Sequence, residues 1–316
     1  MTWSGVVTRA LGWLLLTFAL LGTTALPAFA ARSQPGRGSG GPRAATATGN
    51  DISYPQCGGT FPSGQAFGIV AVNGGLANNV NPCLGPSSAS YASSELYWAV
   101  ATSTGATAQP KASLYVNTAD PGNVYGGSPV SDWPTSGSTP YGACTTTNVA
   151  TSTGVATLGA NSPACAWEYG FQRANRDVAW LASAADAVNT MAPPVSVPRE
   201  AGSYPWWLDV ETGNTWQSGS SGQSMNVAVL QGMVAALQQA GASRIGVYST
   251  SLQWNQITGG TVSASDSLYQ LPTWIPGARN ESSARANCGL TSFTGGAVVM
   301  TQWFGRPFDG DYACSA

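Results

Sequence analysis

From Gly49 onward, short apolar runs alternate with longer stretches whose apolar residues recur every three or four positions. GNDISYPQC (Gly49 to Cys57) reads as a short strand that delivers Asp51. FGIVAVNGG (Phe67 to Gly75) is almost continuously apolar and stops at Asn-Gly-Gly, the pattern of a buried parallel strand running into a loop. Ser90 to Thr104 reads as a helix, with Tyr91, Leu96, Tyr97 and Val100 near one face. Lys111 to Gly122 gives a third strand that closes on Asp-Pro-Gly, a strong turn signal. From Trp167 to Met191 the stripe Phe171, Ala174, Val178, Leu181, Ala185, Val188 predicts a long amphipathic helix, with Arg173, Arg176 and Asp177 on its wet face.

Trp206 to Glu211 makes a fourth strand, followed by a helix through Val227, Leu230, Met233, Val234 and Leu237 that Gly241 caps. Arg244 to Thr250 is a fifth strand, and Ser251 to Ile257 a short helix. Leu271 to Ala278, Ala297 to Phe304 and Phe308 to Cys314 complete eight strands, with no helical pattern after about Ser283. Strands and helices alternating at this spacing predict an α/β fold with a parallel sheet, and eight strands in one domain predict a closed barrel of TIM type. One stretch breaks the rhythm: Pro121 to Ser162 is rich in Gly, Ser, Thr and Pro with little periodicity, and reads as a long structureless insertion.

The ends follow other rules. Arg9, an apolar run from Ala10 to Leu21 and Ala28-Phe29-Ala30 form a secretory signal over residues 1–30. That run is too short for a confident membrane span. Residues 31–48 have the composition of a flexible leader. The barrel domain then occupies residues 49–316, and the expected location is extracellular or cell-wall associated.

Composition narrows the partners. Charged residues are 8% of the chain, Lys111 is the lone lysine, histidine is absent and the net charge is −2, so nothing here attracts nucleic acid or an anionic membrane. The cysteines Cys57, Cys83, Cys144, Cys165, Cys288 and Cys314 form an even set after the signal, as disulfides in an exported chain require. Nearest-neighbour pairing is expected, Cys57 with Cys83, Cys144 with Cys165 and Cys288 with Cys314. Each pair closes a loop of about twenty to twenty-six residues, worth roughly 3 kcal/mol in the chain-entropy model. Without histidine or a C-x-x-C spacing, neither a metal nor any other cofactor is expected. A monomer is expected.

The candidate chemistry centres on YPWWLDVETGNTW, Tyr204 to Trp216. If Trp206 to Glu211 is one strand, Asp209 and Glu211 share a face, with Cα atoms roughly 6.6 Å apart. One carboxyl can then stay ionised beside a second that burial and its neighbour push towards the protonated form, which suits glycosidic bond cleavage. Other polar residues end other strands: Asp51, Asn73, Asn117, Tyr248, Trp274, Gln302, and Asp309 or Asp311. In a parallel barrel these positions share one mouth. A serine or cysteine nucleophile is disfavoured, because no histidine can activate it and the cysteines are paired.

Several motifs together carry a family resemblance: D-I-S at Asp51 to Ser53, W-L-D-V-E at Trp207 to Glu211, G-V-Y-S-T at Gly246 to Thr250, T-W-I at Thr273 to Ile275 and T-Q-W at Thr301 to Trp303. With an aspartate in the final strand, Gly49 to Cys314 resembles the family 25 glycoside hydrolases, the lysozyme family that cleaves peptidoglycan, and more closely the secreted glycoside-hydrolase-like branch around it. The resemblance implies an irregular barrel with fewer than eight helices. It implies that Glu211 is the general acid, that Asp209 assists at C1, and that Asp51 and the terminal aspartate, Asp311 rather than Asp309, join the carboxylate cluster. Asn73, Asn117, Tyr248, Trp274 and Gln302 are expected to bind substrate. The implied activity is hydrolysis of a β-1,4 linkage in cell-wall glycan or a related polysaccharide. Val72-Asn73-Gly74 and Tyr115-Val116-Asn117 depart from the family's usual acidic or polar pair and Tyr-His-Phe. These departures motivate the alternative, a non-catalytic barrel that binds glycan or sits in the envelope.

Overall fold

The structure is a computed structural model and describes residues 48–74, 77–260 and 263–314. The expected signal and leader therefore lie outside the described residues, except for Thr48, which opens the first strand. Eight strands close a barrel: β1 Thr48–Ile52, β2 Gly68–Ala71, β3 Ala112–Asn117, β4 Trp206–Asp209, β5 Ile245–Tyr248, β6 Thr273–Ala278, β7 Val298–Trp303 and β8 Asp309–Ala313. Neighbours in the barrel are neighbours in sequence, with β8 returning to pair with β1. Five α-helices accompany the strands among the described residues: α1 Glu95–Thr102, α2 Pro163–Thr190, α3 Gly219–Gln239, α4 Ser251–Thr258 and α5 Glu281–Asn287. The fold is an irregular barrel of TIM type.

One expectation about the sheet is corrected. All pairings are parallel except those of β8, which runs antiparallel to both β7 and β1. The 304–308 connection is too short for the dozen or more residues that a parallel crossover needs, so the chain turns back as a hairpin. The cleft end of β8 is consequently its first residue.

Strand alternation divides the apolar residues into two cores. Val70, Leu114, Leu208 and Val247 face outward and pack with α1, α2 and α3. Phe67, Ile69, Trp207, Trp274 and Met300 fill the barrel interior, where the Trp207 and Trp274 rings meet edge to face at 5.9 Å. Large rings plug the lumen, leaving only the mouth open for polar groups.

The insertion is not structureless. It forms three two-stranded hairpins, Val124–Tyr125 with Ser128–Pro129, Gly137–Thr139 with Gly142–Cys144, and Thr146–Thr151 with Gly154–Gly159. Strands this short and exposed bury too little to show an apolar rhythm, which is why sequence periodicity misses them. The hairpins cover part of α2, and this overturns the expectation that Arg173 and Asp177 are solvated. Arg173 is 3% exposed and donates from Nη1 to Asp132 Oδ2 of the insertion at 3.0 Å, while Asp177 is fully buried and Arg176 stays exposed. The helix itself begins earlier than its stripe, because Ser162 caps it and Pro163 fits the first turn. Helix α5, beyond the last predicted helix, buries only Ala284 and is held instead by an Asn280 and Ser283 capping box.

The three disulfides pair as nearest neighbours, with Cα separations of 5.4 Å (Cys57 and Cys83), 4.6 Å (Cys144 and Cys165) and 5.6 Å (Cys288 and Cys314). They tie the loop after β1 to the loop after β2, the insertion to the first turn of α2, and the end of α5 to the residue after β8.

Candidate active site

The barrel mouth holds an open cleft of about 380 Å³ lined by Asp51, Asn117, Asp209, Glu211, Tyr248, Trp274 and Gln302, with Asp309, Tyr115 and residues of the loops after β1 and β7 around them. Register explains the convergence. Asp209 lies between Asn117 on β3 and Tyr248 on β5, Tyr248 beside Trp274 on β6, Gln302 beside Asp311 on β8, and Asp51 beside Asp309. Alternation turns these side chains to the lumen side at the upper layer of the barrel.

Strand β4 ends at Asp209, two residues before Glu211, rather than running through it. The ladder continues one residue further, with Val210 N–H donating to the Tyr248 carbonyl at 2.9 Å, so both carboxyls still reach the cleft. Glu211 is half-buried; Gln253 Nε2 in the first turn of α4 donates to its Oε1 at 3.3 Å. The Trp216 indole donates to the Glu211 carbonyl at 2.9 Å and fixes the loop behind it.

A hydrogen-bonded chain crosses the cleft. The Tyr248 hydroxyl donates to Gln302 Oε1 at 2.8 Å, and Gln302 Nε2 donates to Asp51 Oδ2 at 2.8 Å. Burial pushes the Asp51 carboxyl up to about 6 despite that donor. Asp209 is 6% exposed, its Oδ1 accepts from no described residue, and burial with the charges of Glu211 and Asp51 holds its carboxyl well above the usual range. Asp311 is fully buried, and burial and the Asp51 charge raise it strongly as well. Among the described residues, no Lys or Arg lines the cleft. So many carboxyls without a cation cannot all ionise, and the cluster retains protons that isolated acids would have lost.

Two of the predicted residues sit outside the lining. Asp311 lies below the cleft floor, while Asp309 lines it, because antiparallel β8 presents its first residue at the mouth. Asn73 is fully buried and braces Asn117: its Oδ1 accepts from the Asn117 N–H at 2.7 Å and from Asn117 Nδ2 at 2.9 Å. Trp274 does reach the cleft but is only 2% exposed, packed edge-on against Tyr248 and Trp207, so it forms floor rather than a free platform. Sequence reading passed over Tyr115 and Gln253. Tyr115 was legible, since it stands two residues before Asn117 on the same strand face. Gln253 acts from a helix and carries no such signal.

A family model described as lysozyme-like protein 1 matches residues 201–287, which contain β4, Asp209, Glu211, Gln253, Tyr248 and Trp274. This stretch is similar to lysozyme-like proteins. Two relatives from Dictyostelium discoideum, probable family 25 lysozymes 4 and 2, are each 41% identical over 68 residues, 22% of this chain and 28% of theirs. The match therefore spans little more than a quarter of those lysozymes. A muramidase structure from Trichobolus zukalii aligns over 85% of this chain and 94% of its own at 14% identity, with a TM-score of 0.40, too low to carry weight. Asp51, Asn117, Gln302 and Asp309 reach the lysozyme-like stretch from strands outside 201–287.

Proposed function

We propose that the protein is a secreted glycoside hydrolase of lysozyme type that cleaves a β-1,4 linkage in cell-wall glycan. The observation that carries this reading is the convergence of Asp51, Asp209, Glu211 and Asp309 on an open barrel mouth that no described Lys or Arg lines. Breaking a glycosidic bond needs a proton for the leaving oxygen and support for the charge that develops at the anomeric carbon, and carboxyls in different environments can divide these roles. Glu211, the more open of the pair, delivers the proton. Asp209, buried beside it, orients the substrate's acetamido group at C1. Asp51 works with Asp209, and Gln302 and Tyr248 hold Asp51 in place. Asp309 at the rim and Asp311 beneath it add to the field that keeps protons in the cluster. Asn117, braced by Asn73, and the Tyr248 and Trp274 rings form the sugar-facing wall. The lysozyme-like match over Asp209 and Glu211 and the three disulfides support the activity and the extracellular location respectively.

The test is release of soluble muropeptides from purified peptidoglycan. Glu211→Gln is expected to lose about 10²–10⁴-fold in turnover, the usual worth of a general acid. Unchanged release by that variant overturns the assignment. Glycan binding by the wild-type chain with no turnover selects the non-catalytic barrel instead. Because Asp51 gives up its proton near pH 6, release is expected to decline as pH rises through about 6, measured as a rate profile on the same substrate.

A further inference from the structure

A second cavity, of about 360 Å³, lies beside the loops that follow β3 and β4. Its size falls within the range of about 300–1,000 Å³ typical of small-molecule sites. Asn117 and Glu211 line the first cleft; Ala119 and Asn214, further along the same two loops, line this one. The Asp120 N–H donates to the Thr215 carbonyl at 2.8 Å and ties those loops together. The rest of the wall comes from Ala77, Asn78 and Asn79 in the loop after β2, from Pro121, Tyr125 and Val130 of the insertion, and from Tyr169 of α2.

Two polar atoms of the lining side chains have no partner among the described residues. One is the Tyr169 hydroxyl, in a side chain only 1% exposed, and the other is Asn214 Nδ2. A buried donor without an acceptor is a standing free-energy cost that a ligand acceptor removes. Burial raises the Tyr169 hydroxyl far above its ordinary value, so it remains a donor at any ordinary pH. Among the described residues no charged side chain lines the cavity, which leaves a charged ligand without a counter-ion there. Tyr125 is 61% exposed and offers a ring beside the apolar Val130 and Pro121. The complementary ligand is neutral, carries a carbonyl acceptor, and has one apolar ring face to lie on an aromatic.

We propose that this cavity is a second glycan-binding site that takes one neutral N-acetylated pyranose, with its acetamido carbonyl accepting from Tyr169 and Asn214 and its ring face against Tyr125. The inference rests on the reading of the barrel-mouth cleft as a glycan site, and it gives the insertion a purpose: holding cell-wall glycan beside the cutting site.

Titration of the full chain with the β-1,4-linked N-acetylglucosamine dimer, followed by NMR at assigned side chains, separates the two sites. The Val130 methyls and the Asn214 amide report on the cavity, and the Gln253 and Gln302 amides report on the cleft. Both sets are expected to shift in the wild type. Tyr169→Phe, which keeps the ring stacked on Trp133 at 5.2 Å and removes only the hydroxyl, is expected to weaken the Val130 and Asn214 response about ten-fold. Tyr125→Ala, at an exposed position that the fold does not need, is expected to do the same. Neither should alter the Gln253 and Gln302 response. Shifts confined to Gln253 and Gln302, or cavity shifts untouched by both substitutions, overturn the second site and leave the cleft reading standing. Silence at all four positions overturns both.

Discussion

Glu95 begins α1 with its carboxyl wholly buried, where Asn81 Nδ2 donates to Oε2 at 2.6 Å and Oε1 accepts from no described residue. Burial lifts this acid from 4.5 to about 7, against the pull of the Asn81 amide. A carboxyl that prefers its proton in the folded state stabilises the fold fully below its unfolded pKa. That contribution disappears as pH rises through the folded value, here between about 4.5 and 7. Glu95→Gln removes the titration and keeps an acceptor for Asn81. The variant is therefore expected to match the wild type in urea denaturation at pH 4.5. At pH 8 it should be the more stable by on the order of 3 kcal/mol, the free energy of a shift this size. A wild type that is equally stable at both pH values would refute it. Nothing in the run ELYW marks Glu95 as buried, because a lone acid at a helix start reads as a favourable dipole contact facing water.

Helices α2 and α3 cross with their backbones in contact. A Cβ on Gly170 would overlap the Val229 carbonyl oxygen, and one on Gly232 the Trp167 carbonyl oxygen. In an exposed helix, Gly→Ala gains about 1 kcal/mol from propensity. At this crossing, overpacking costs about 1–3 kcal/mol, and because the obstacle is backbone it wins. Gly170→Ala and Gly232→Ala are each expected to lower the thermal midpoint, and calorimetry showing a gain would mean the helices separate freely. The stripe on α2 was legible in the sequence, but the insertion that covers Arg173 was not. Periodicity reports how one helix divides its faces, and an ion pair to Asp132 from a distant hairpin leaves no trace in it.

Among the described residues, buried acids outnumber the cations placed to neutralise them. Burial raises Asp51 and Asp120 to about 6 and Asp177 to about 8, and Asp209 and Asp311 are raised strongly too. Every one of these shifts has the same sign, so the folded chain binds more protons than the unfolded chain from about pH 4 upward. Stability is thus expected to fall as pH rises from 4.5 to 8, and scanning calorimetry at the two ends checks it. A midpoint that rises with pH would show that the carboxyls ionise freely in the fold.

Along the sequence, strand and helix periods and eight strand ends with polar tips determined the barrel and its mouth, while an even cysteine set pointed to disulfides without fixing which cysteines pair. Each of these depends on residues close together in the chain, where spacing translates directly into geometry. Tertiary structure alone decided the direction of β8, and with it that Asp309 reaches the rim while Asp311 sinks beneath. It also decided the hairpins of the insertion, the burial of Arg173, Asp177 and Glu95, and the cavity beneath Tyr125. Those features arise where segments far apart in the chain exclude water from one another, and the free energy of a buried charge or an unpaired donor is set by that exclusion.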